Sequence, residues 1–102
     1  MPKGYWIAHV EADDVSNFQS EAYKAYVSSA APVFEQYGGR FLARGGEFET
    51  AEGNGLGSRH VLIEFPSLED AKACYHSAVY REAKLNRQAV ATANIVLVEG
   101  FE

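Results

Sequence analysis

Strand-like and helix-like segments follow one another along this chain in an order that few folds can accommodate. Residues 4–11 are rich in aromatic and β-branched side chains and end at turn-forming residues 13–14, so a first strand is predicted there. Ser16 followed by Gln19 has the spacing of a capping box, which predicts the start of a helix. The glycine pair at positions 38–39 predicts the end of that helix.

The middle of the chain predicts a hairpin after a helix that contains one proline. Pro32 lies inside the apolar stripe of this helix, and proline removes a helical hydrogen bond, so a kink and a division into two shorter helices are both open. Residues 40–44 predict a second strand, with residues 47–49 as its extension. Residues 59–65 predict a third strand, which forms a hairpin with the second.

The last third of the chain predicts a broken helix followed by a strand. Ser67 with Asp70 three residues later marks a helix start. The apolar periodicity shifts before Ser77, which predicts a break and a second segment that Ser77 caps and that runs to about Gln88. Residues 94–101 form a nearly continuous apolar run, typical of a strand covered on both faces.

The complete order is strand, helix, strand, strand, helix, strand, which is the β-α-β-β-α-β ferredoxin-like pattern. We therefore predict an α+β fold, a single domain over residues 1–102, with an antiparallel sheet and both helices on one face. The third strand carries apolar side chains in both phases, so the other face also needs cover. A second copy of the chain is the simplest cover, which predicts a homodimer joined through the sheet face.

Charge and cysteine content exclude several partners. Nine Lys and Arg against fourteen Asp and Glu give a net charge of -5, which opposes binding to nucleic-acid phosphates or anionic lipid. Cys74 is the only cysteine, so no internal disulfide can form, and no apolar run approaches the roughly 18 residues that span a bilayer. We expect a cytoplasmic protein with neither nucleic acid nor membrane as a partner.

Short strings spread over nearly the whole chain match a known family in their order and spacing. They are Tyr5-Trp6-Ile7, Tyr37-Gly38-Gly39-Arg40-Phe41-Leu42, Arg44-Gly45-Gly46, Ile63-Glu64-Phe65-Pro66-Ser67, Cys74-Tyr75-His76-Ser77 with Tyr80, Arg87, and Val98-Glu99-Gly100. In these strings the chain resembles the small bacterial family called domain of unknown function 1330. The resemblance implies a ferredoxin-like protomer that dimerises by its sheets into an α/β barrel, and it implies no settled activity. Many relatives have Ser-Pro-x-Tyr where this chain has Ser77-Ala78-Val79-Tyr80.

The two faces of the predicted sheet differ in chemistry, because side chains alternate along a strand. One face is uniformly apolar, with Trp6, Ala8, Val10, Phe41, Ala43, Val61, Ile63, Phe65, Val96 and Val98. The other mixes apolar and ionisable groups, with Tyr5, Ile7, His9, Arg40, Leu42, Arg44, His60, Leu62, Glu64, Ile95, Leu97 and Glu99. Unpaired buried charges cost several kcal/mol each, so the mixed face holds either ion pairs or a wet cavity.

The mixed face contains the residues that could carry out catalysis. We predict His9 as a general base oriented by the Glu64 carboxylate, with Arg44 or Arg40 holding an anionic group of the substrate. The competing interpretation is structural. In it Arg44 and Glu64 form a bridge between neighbouring strands or subunits, and His9 is a packing residue.

The helices add two tyrosines to the predicted site. Tyr26 and Tyr80 are expected to line a pocket and bind substrate through their hydroxyl groups, with plain core packing as the alternative. The predicted function is a small-molecule enzyme or binder without a cofactor, acting on a compact organic acid or aromatic compound. The alternative function is a non-catalytic dimerisation or ligand-sensing module. The histidines at positions 9, 60 and 76 lack the spacing of metal ligands, so no metal is expected.

Overall fold

The computed structural model describes residues 2–101 and contains a four-stranded sheet packed against helices. In chain order the elements are β1 (Gly4–Glu11), a short 3-10 helix (Val15–Gln19), α1 (Glu21–Gln36), β2 (Arg40–Arg44), β3 (Arg59–Phe65), α2 (Leu68–Tyr75), α3 (Ala78–Gln88) and β4 (Thr92–Glu99). The strands lie in the order β2-β3-β1-β4 and every neighbouring pair is antiparallel. The predicted α+β ferredoxin-like fold is therefore confirmed. No helix within residues 2–101 is long and apolar enough to cross a membrane.

The first helix begins later than the capping-box spacing predicts. Ser16 lies in the 3-10 helix, where its backbone N–H donates to the Asp14 carboxylate at 2.9 Å. The cap of α1 is Ser20, whose hydroxyl oxygen accepts from the Tyr23 N–H at 3.2 Å. The predicted start at Ser16 is wrong because Asp14 caps a separate 3-10 helix that contains Ser16. The α-helix starts only after this turn, where Ser20 is the capping residue.

The helix does not divide at its proline. α1 runs unbroken from Glu21 to Gln36 with Pro32 inside it, which excludes two shorter helices. The predicted glycine stop is confirmed, since Gly38 has a φ of +83° and the Gly39 N–H donates to the Phe34 carbonyl at 2.8 Å. The left-handed conformation of Gly38 turns the chain away from the helix axis just before β2 begins.

The later elements follow the prediction closely. Residues 40–44 and 59–65 form the expected hairpin, but residues 47–49 are not a strand and belong to the connecting loop. Ser67 caps α2 and Ser77 caps α3, which confirms the break between the two helices. The last strand spans residues 92–99, so it starts and ends two residues earlier than predicted.

The phase of β4 is opposite to the prediction. Leu97 lies opposite Trp6 and Ile95 opposite Ala8, which places both on the face that the helices cover. Val96 and Val98 therefore lie on the uncovered face, with 56% and 41% of their surface exposed. The prediction was wrong because an apolar run in both phases contains no period-2 signal, so only pairing with β1 decides which residues face inward.

A register shift in β2 moves an arginine from one face to the other. Phe41 lies opposite Ile63, but Ala43 lies opposite Leu62 and Arg44 opposite Val61, because the register shifts between Phe41 and Ala43. A β-bulge of this kind inverts the faces of all following residues. Arg44 therefore lies on the helix-covered side of the sheet and Ala43 on the uncovered side, the reverse of the predicted phase.

Trp6 is the centre of the core between sheet and helices. Its ring lies edge-on to Phe34 at 4.9 Å and to Tyr80 at 5.0 Å between ring centroids, and 5.5 Å from Tyr75. Contacts of this geometry stabilise beyond the area they bury, by about 0.5–1.5 kcal/mol each. The cluster fixes α1, α2 and α3 on β1 and so sets the inner limit of the cavity described next.

Candidate functional site

A cavity of about 40 Å³ lies between the sheet and α1, beside Trp6. Its walls are mainly aliphatic and aromatic side chains, and three arginines interrupt them. The lining consists of Trp6, Ala8, Val10, Tyr23, Tyr26, Val27, Ala30, Ala31, Phe34, Phe41, Arg44, Arg59, Val61, Ile63, Arg87, Ala93 and Ile95. The cavity is thus an apolar space with cationic groups at its boundary, and among residues 2–101 no acidic side chain lines it.

Two of these arginines have buried donors without acceptors. The Arg87 side chain is only 4% exposed. The Nε atoms of Arg59 and Arg87 are both buried and neither finds a hydrogen-bond partner within residues 2–101. In the same part of the chain, no carboxylate lies within 4.0 Å of either guanidinium. Buried donors are almost always satisfied, so two buried Nε donors without an acceptor on one cavity indicate space for an anion.

Aromatic rings and one glycine lie against the guanidinium groups of the buried Arg87 and the half-buried Arg59. The Arg87 Cζ lies 5.5 Å from the centre of the Tyr26 ring, and the Arg59 Cζ lies 5.7 Å from that of Tyr23. Gly45 has a φ of +68°, and a Cβ there would overlap the Arg59 guanidinium. Contact with the ring faces helps to stabilise the two cations and leaves their Nε donors without an acceptor.

Two tyrosine hydroxyls meet at the cavity wall. The oxygens of Tyr26 and Tyr80 are 2.9 Å apart, and Tyr80 is completely buried behind Tyr26. Burial raises the pKa of both phenols, while the nearby charge of Arg87 lowers it in part. Both groups therefore keep their protons at neutral pH and serve as hydrogen-bond donors.

Three of the predicted site residues belong to this region. Arg44 and Tyr26 line the cavity, and Tyr80 contacts it through Tyr26. The Arg44 Cζ lies 4.4 Å over the Phe41 ring, and its side chain is exposed at the sheet edge. The roles assigned to these residues in substrate binding stay predictions, and the structure brings them to one place.

The predicted base and its carboxylate do not meet. His9 and Glu64 both lie on the uncovered face, but His9 is opposite His60 and Glu64 opposite Tyr5, four positions away. Four residues along a strand span about 13 Å. The His9 Nδ1 lies 2.8 Å from the His60 Nδ1, so the contact of His9 is with another histidine. The expected contact between His9 and Glu64 is therefore wrong, and their catalytic roles stay untested predictions.

Within one chain, the alternative bridge between Arg44 and Glu64 does not form either, and a bridge between subunits stays a prediction. Glu64 accepts from the Arg40 Nη2 at 3.2 Å and from the Tyr5 hydroxyl at 3.2 Å. The bulge places Arg44 on the other side of the sheet, where Glu64 cannot reach it. The charged cluster on the uncovered face is thus Tyr5, Glu64 and Arg40.

Sequence reasoning missed Arg59 and Arg87 as site residues, although each carried a signal. Arg87 is in phase with the buried Tyr80 and Ala83 of α3, and Arg59 is in phase with Ile63 of β3. A charged residue within an apolar stripe is rare, because burying it needs a partner. The apolar periodicity of each element identifies these arginines as residues on a buried face, but it does not show that they line one cavity.

The remaining reactive groups do not form a metal or thiol site. Within the described residues, no group of three or more His, Cys, Asp or Glu side chains could hold a metal ion. Cys74 is buried in the core, and burial raises its pKa to about 12. Its thiol therefore stays protonated and unreactive at neutral pH.

Solved structures share the fold of this chain at low sequence identity. A protein of unknown function from Rhodopseudomonas palustris has a TM-score of 0.73 and 24% identity, covering 99% of this chain and 84% of its own. SnoaB, a cofactor-independent oxygenase from Streptomyces nogalater, has a TM-score of 0.63 and 8% identity, covering 100% and 96%. An EthD family protein from Bacillus halodurans has a TM-score of 0.54 and 10% identity, covering 99% and 100%. At these identities the likeness shows the fold alone.

Comparison with protein-family models gives a more specific result than comparison with solved structures. A search of curated proteins found no match. The family model described as Domain of unknown function (DUF1330) matches residues 3–101, nearly the whole chain, and this is the family that the resemblance in short strings predicts. The chain therefore belongs to the DUF1330 family.

Proposed function

We propose that the protein binds a compact organic acid in the cavity between the sheet and α1, as a small-molecule binder or an enzyme without a cofactor. One observation carries the proposal. The two buried, unpaired Nε donors of the described chain belong to Arg59 and Arg87, and both arginines line the same cavity. A carboxylate is the acceptor that a guanidinium fork fits best.

The size of the cavity supports a carboxylate as the group that enters it. A volume of about 40 Å³ holds roughly three water-sized groups, which is the size of a carboxylate with little beyond it. Arg59 and Arg87 supply charge-assisted hydrogen bonds, and Arg44 at the edge of the sheet clamps the anion from the outside. The rest of the acid then extends beyond the cavity.

Tyr26 is the uncharged donor of the proposed site. Tyr80 does not line the cavity, so its hydroxyl cannot reach the ligand. We therefore assign the hydroxyl of Tyr80 as the donor to Tyr26, and the hydroxyl of Tyr26 as the donor to the ligand. A donor fixed in this way polarises a carbonyl or carboxylate oxygen of the ligand. SnoaB shows that a protein of this fold works as a cofactor-independent oxygenase, which supports an activity without a cofactor as one form of the proposal.

The second candidate function is a dimerisation or ligand-sensing module without catalysis. It is favoured by the uncovered sheet face, where Leu42, Val96 and Val98 are exposed in an otherwise ordered sheet. We propose that a second copy covers this face, which also encloses the cluster of Tyr5, Glu64 and Arg40. A dimer of this kind is compatible with ligand binding on the opposite side of each sheet.

The test measures binding of butyrate by isothermal titration calorimetry, with butyramide as its neutral analogue. We expect the protein to bind butyrate and not butyramide. Arg87→Met should weaken butyrate binding about tenfold or more, because a charge-assisted hydrogen bond is lost. The matched control is Arg81→Met, an exposed arginine of the same helix, which should leave the affinity unchanged.

A stability measurement distinguishes loss of binding from loss of folding in the Arg87→Met variant. Arg87→Met removes a buried cation without a carboxylate partner, so it should raise the free energy of unfolding of the ligand-free protein by about 1–3 kcal/mol. Loss of binding in a more stable protein cannot come from misfolding. Absence of butyrate binding in the wild type, or equal affinity in the Arg87→Met variant, would contradict the proposed function.

A further inference from the structure

We infer that the natural ligand is a short dicarboxylic acid whose second carboxylate is bound by Lys84 in the cleft between α3 and β4. The inference rests on the proposed function, because it extends the same site. It starts from the position of Arg87, which lines the small cavity on one side and an open cleft on the other.

The cleft and the cavity have part of their lining in common. It encloses about 570 Å³, and three residues, Arg87, Ala93 and Ile95, line both spaces. An acid whose carboxylate fills the cavity has little room there for its carbon chain. Since the cleft is the open space that meets the cavity at Arg87, the chain extends into it.

Lys84 gives the cleft its positive charge. It lies three residues before Arg87 in α3, which places the two side chains on one helix face with Cβ atoms about 5–6 Å apart. Lys84 is half-buried, with its Nζ 5.2 Å from the centre of the Tyr75 ring. Within residues 2–101 no carboxylate lies within 4.0 Å of it. Its ammonium group is thus held in position while its donors remain unpaired with acid.

The composition of the cleft lining favours a second anion over an apolar tail. Gln88, Thr92 and Asn94 are among its residues, and within residues 2–101 no Asp or Glu lines it. Two uncompensated cations on one helix face stand out in a chain with a net charge of -5. The Cβ separation of about 5–6 Å expected for Lys84 and Arg87 is comparable with the separation of the two carboxylates of a four-carbon diacid.

The experiment compares succinate with butyrate, which has the same chain length and one carboxylate, at fixed ionic strength by calorimetry. We expect the wild type to bind succinate about threefold to tenfold more tightly, the gain of one partly exposed charge pair. Lys84→Gln should abolish this preference, so that succinate and butyrate bind with equal affinity. Lys24→Gln, which removes an exposed lysine of α1, should keep the preference.

The outcomes separate this inference from the proposed function. Butyrate binding that depends on Arg87, with no gain for succinate, overturns the dicarboxylate and leaves the proposed function standing. A succinate preference that survives Lys84→Gln also overturns the inference. If the wild type binds neither acid, the proposed function fails and the inference fails with it.

Discussion

At the scale of single residues, charged side chains within apolar stripes decide where the candidate site lies. Arg87 shares a stripe with Tyr80 and Ala83, and it is buried to the same degree as these neighbours. A buried cation without an acidic partner lowers the stability of the ligand-free fold. Such a cost is expected at a binding site, because a ligand that supplies the missing acceptor recovers it.

The buried pair of tyrosines predicts a loss of stability in alkaline solution. Burial raises the pKa of Tyr26 and Tyr80 above that of tyrosine in the unfolded chain, about 10. The folded protein therefore keeps protons that the unfolded chain loses, and the stabilisation is complete below about pH 10 and falls as the pH rises further. In urea unfolding between about pH 8 and 11, we expect a double variant, Tyr26→Phe with Tyr80→Phe, to lose less stability than the wild type.

Tyr37→Phe is the control for this titration, because Tyr37 lies outside the pair. It should reproduce the slope of the wild type. Equal slopes for the wild type and the double variant would show that the two phenols titrate alike in the folded and unfolded states.

At the scale of elements, the helix ends follow local capping and the first helix tolerates an internal proline. Ser67 and Ser77 each accept a hydrogen bond from the N–H three residues later, at 3.2 Å and 3.1 Å, and these two serines set the starts of α2 and α3. Pro32 remains inside α1, because core packing continues on both sides of it, through Ala30 before it and Val33 and Phe34 after it. Tertiary burial thus outweighs the lost hydrogen bond.

Replacing this proline should therefore stabilise the protein. Pro32 is exposed, and Pro32→Ala restores a helical N–H without disturbing the core. We expect the free energy of unfolding to rise by about 1–3 kcal/mol, partly offset by the greater entropy of the unfolded chain. Denaturant unfolding monitored by circular dichroism measures this change in the free energy of unfolding.

Pro66→Ala is the matched control, since this proline lies between β3 and α2 and not within a helix. It should leave stability unchanged or lower it. A decrease in stability on Pro32→Ala would mean that the proline supports the path of α1 instead of straining it.

At the scale of the whole molecule, the helices cover one face of the sheet and leave the other open. The uncovered face carries the hydrogen-bonded histidines at positions 9 and 60, the cluster around Glu64, and the exposed valines of β4. An ordered sheet face with exposed aliphatic side chains is a typical interface for a second copy. The proposed homodimer follows from this arrangement.

The proposed dimer makes a prediction about a single valine. Val96→Glu should convert a dimer to a monomer in sedimentation velocity at micromolar concentration, because it places a charge in the proposed interface. The control is Val79→Glu on α3, whose wild-type valine is 55% exposed against 56% for Val96. It should remain a dimer, and both variants should keep the circular dichroism spectrum of the wild type. A wild-type protein that sediments as a monomer would refute the proposed interface.

The sequence by itself determined the order of the elements and most of their ends. Strand and helix periods, the serine caps of α2 and α3, and the left-handed stop at Gly38 are local properties, since each depends on residues within a few positions. The ferredoxin-like topology was predictable as well, because six elements in this order have few ways to pack. Arg44, Tyr26 and Tyr80 were named from residue type and helix or strand position.

Only the tertiary structure decided which residues share a cavity. The phase of β4 depends on its pairing with β1, and the face of Arg44 depends on a bulge against β3, so neither is encoded within its own strand. Arg59 and Arg87 are far apart in the chain and line one cavity because β3 and α3 pack near the same end of the sheet. Contacts between distant segments are set by pairing and packing of the whole domain. The residue pattern within a single strand or helix therefore does not predict them.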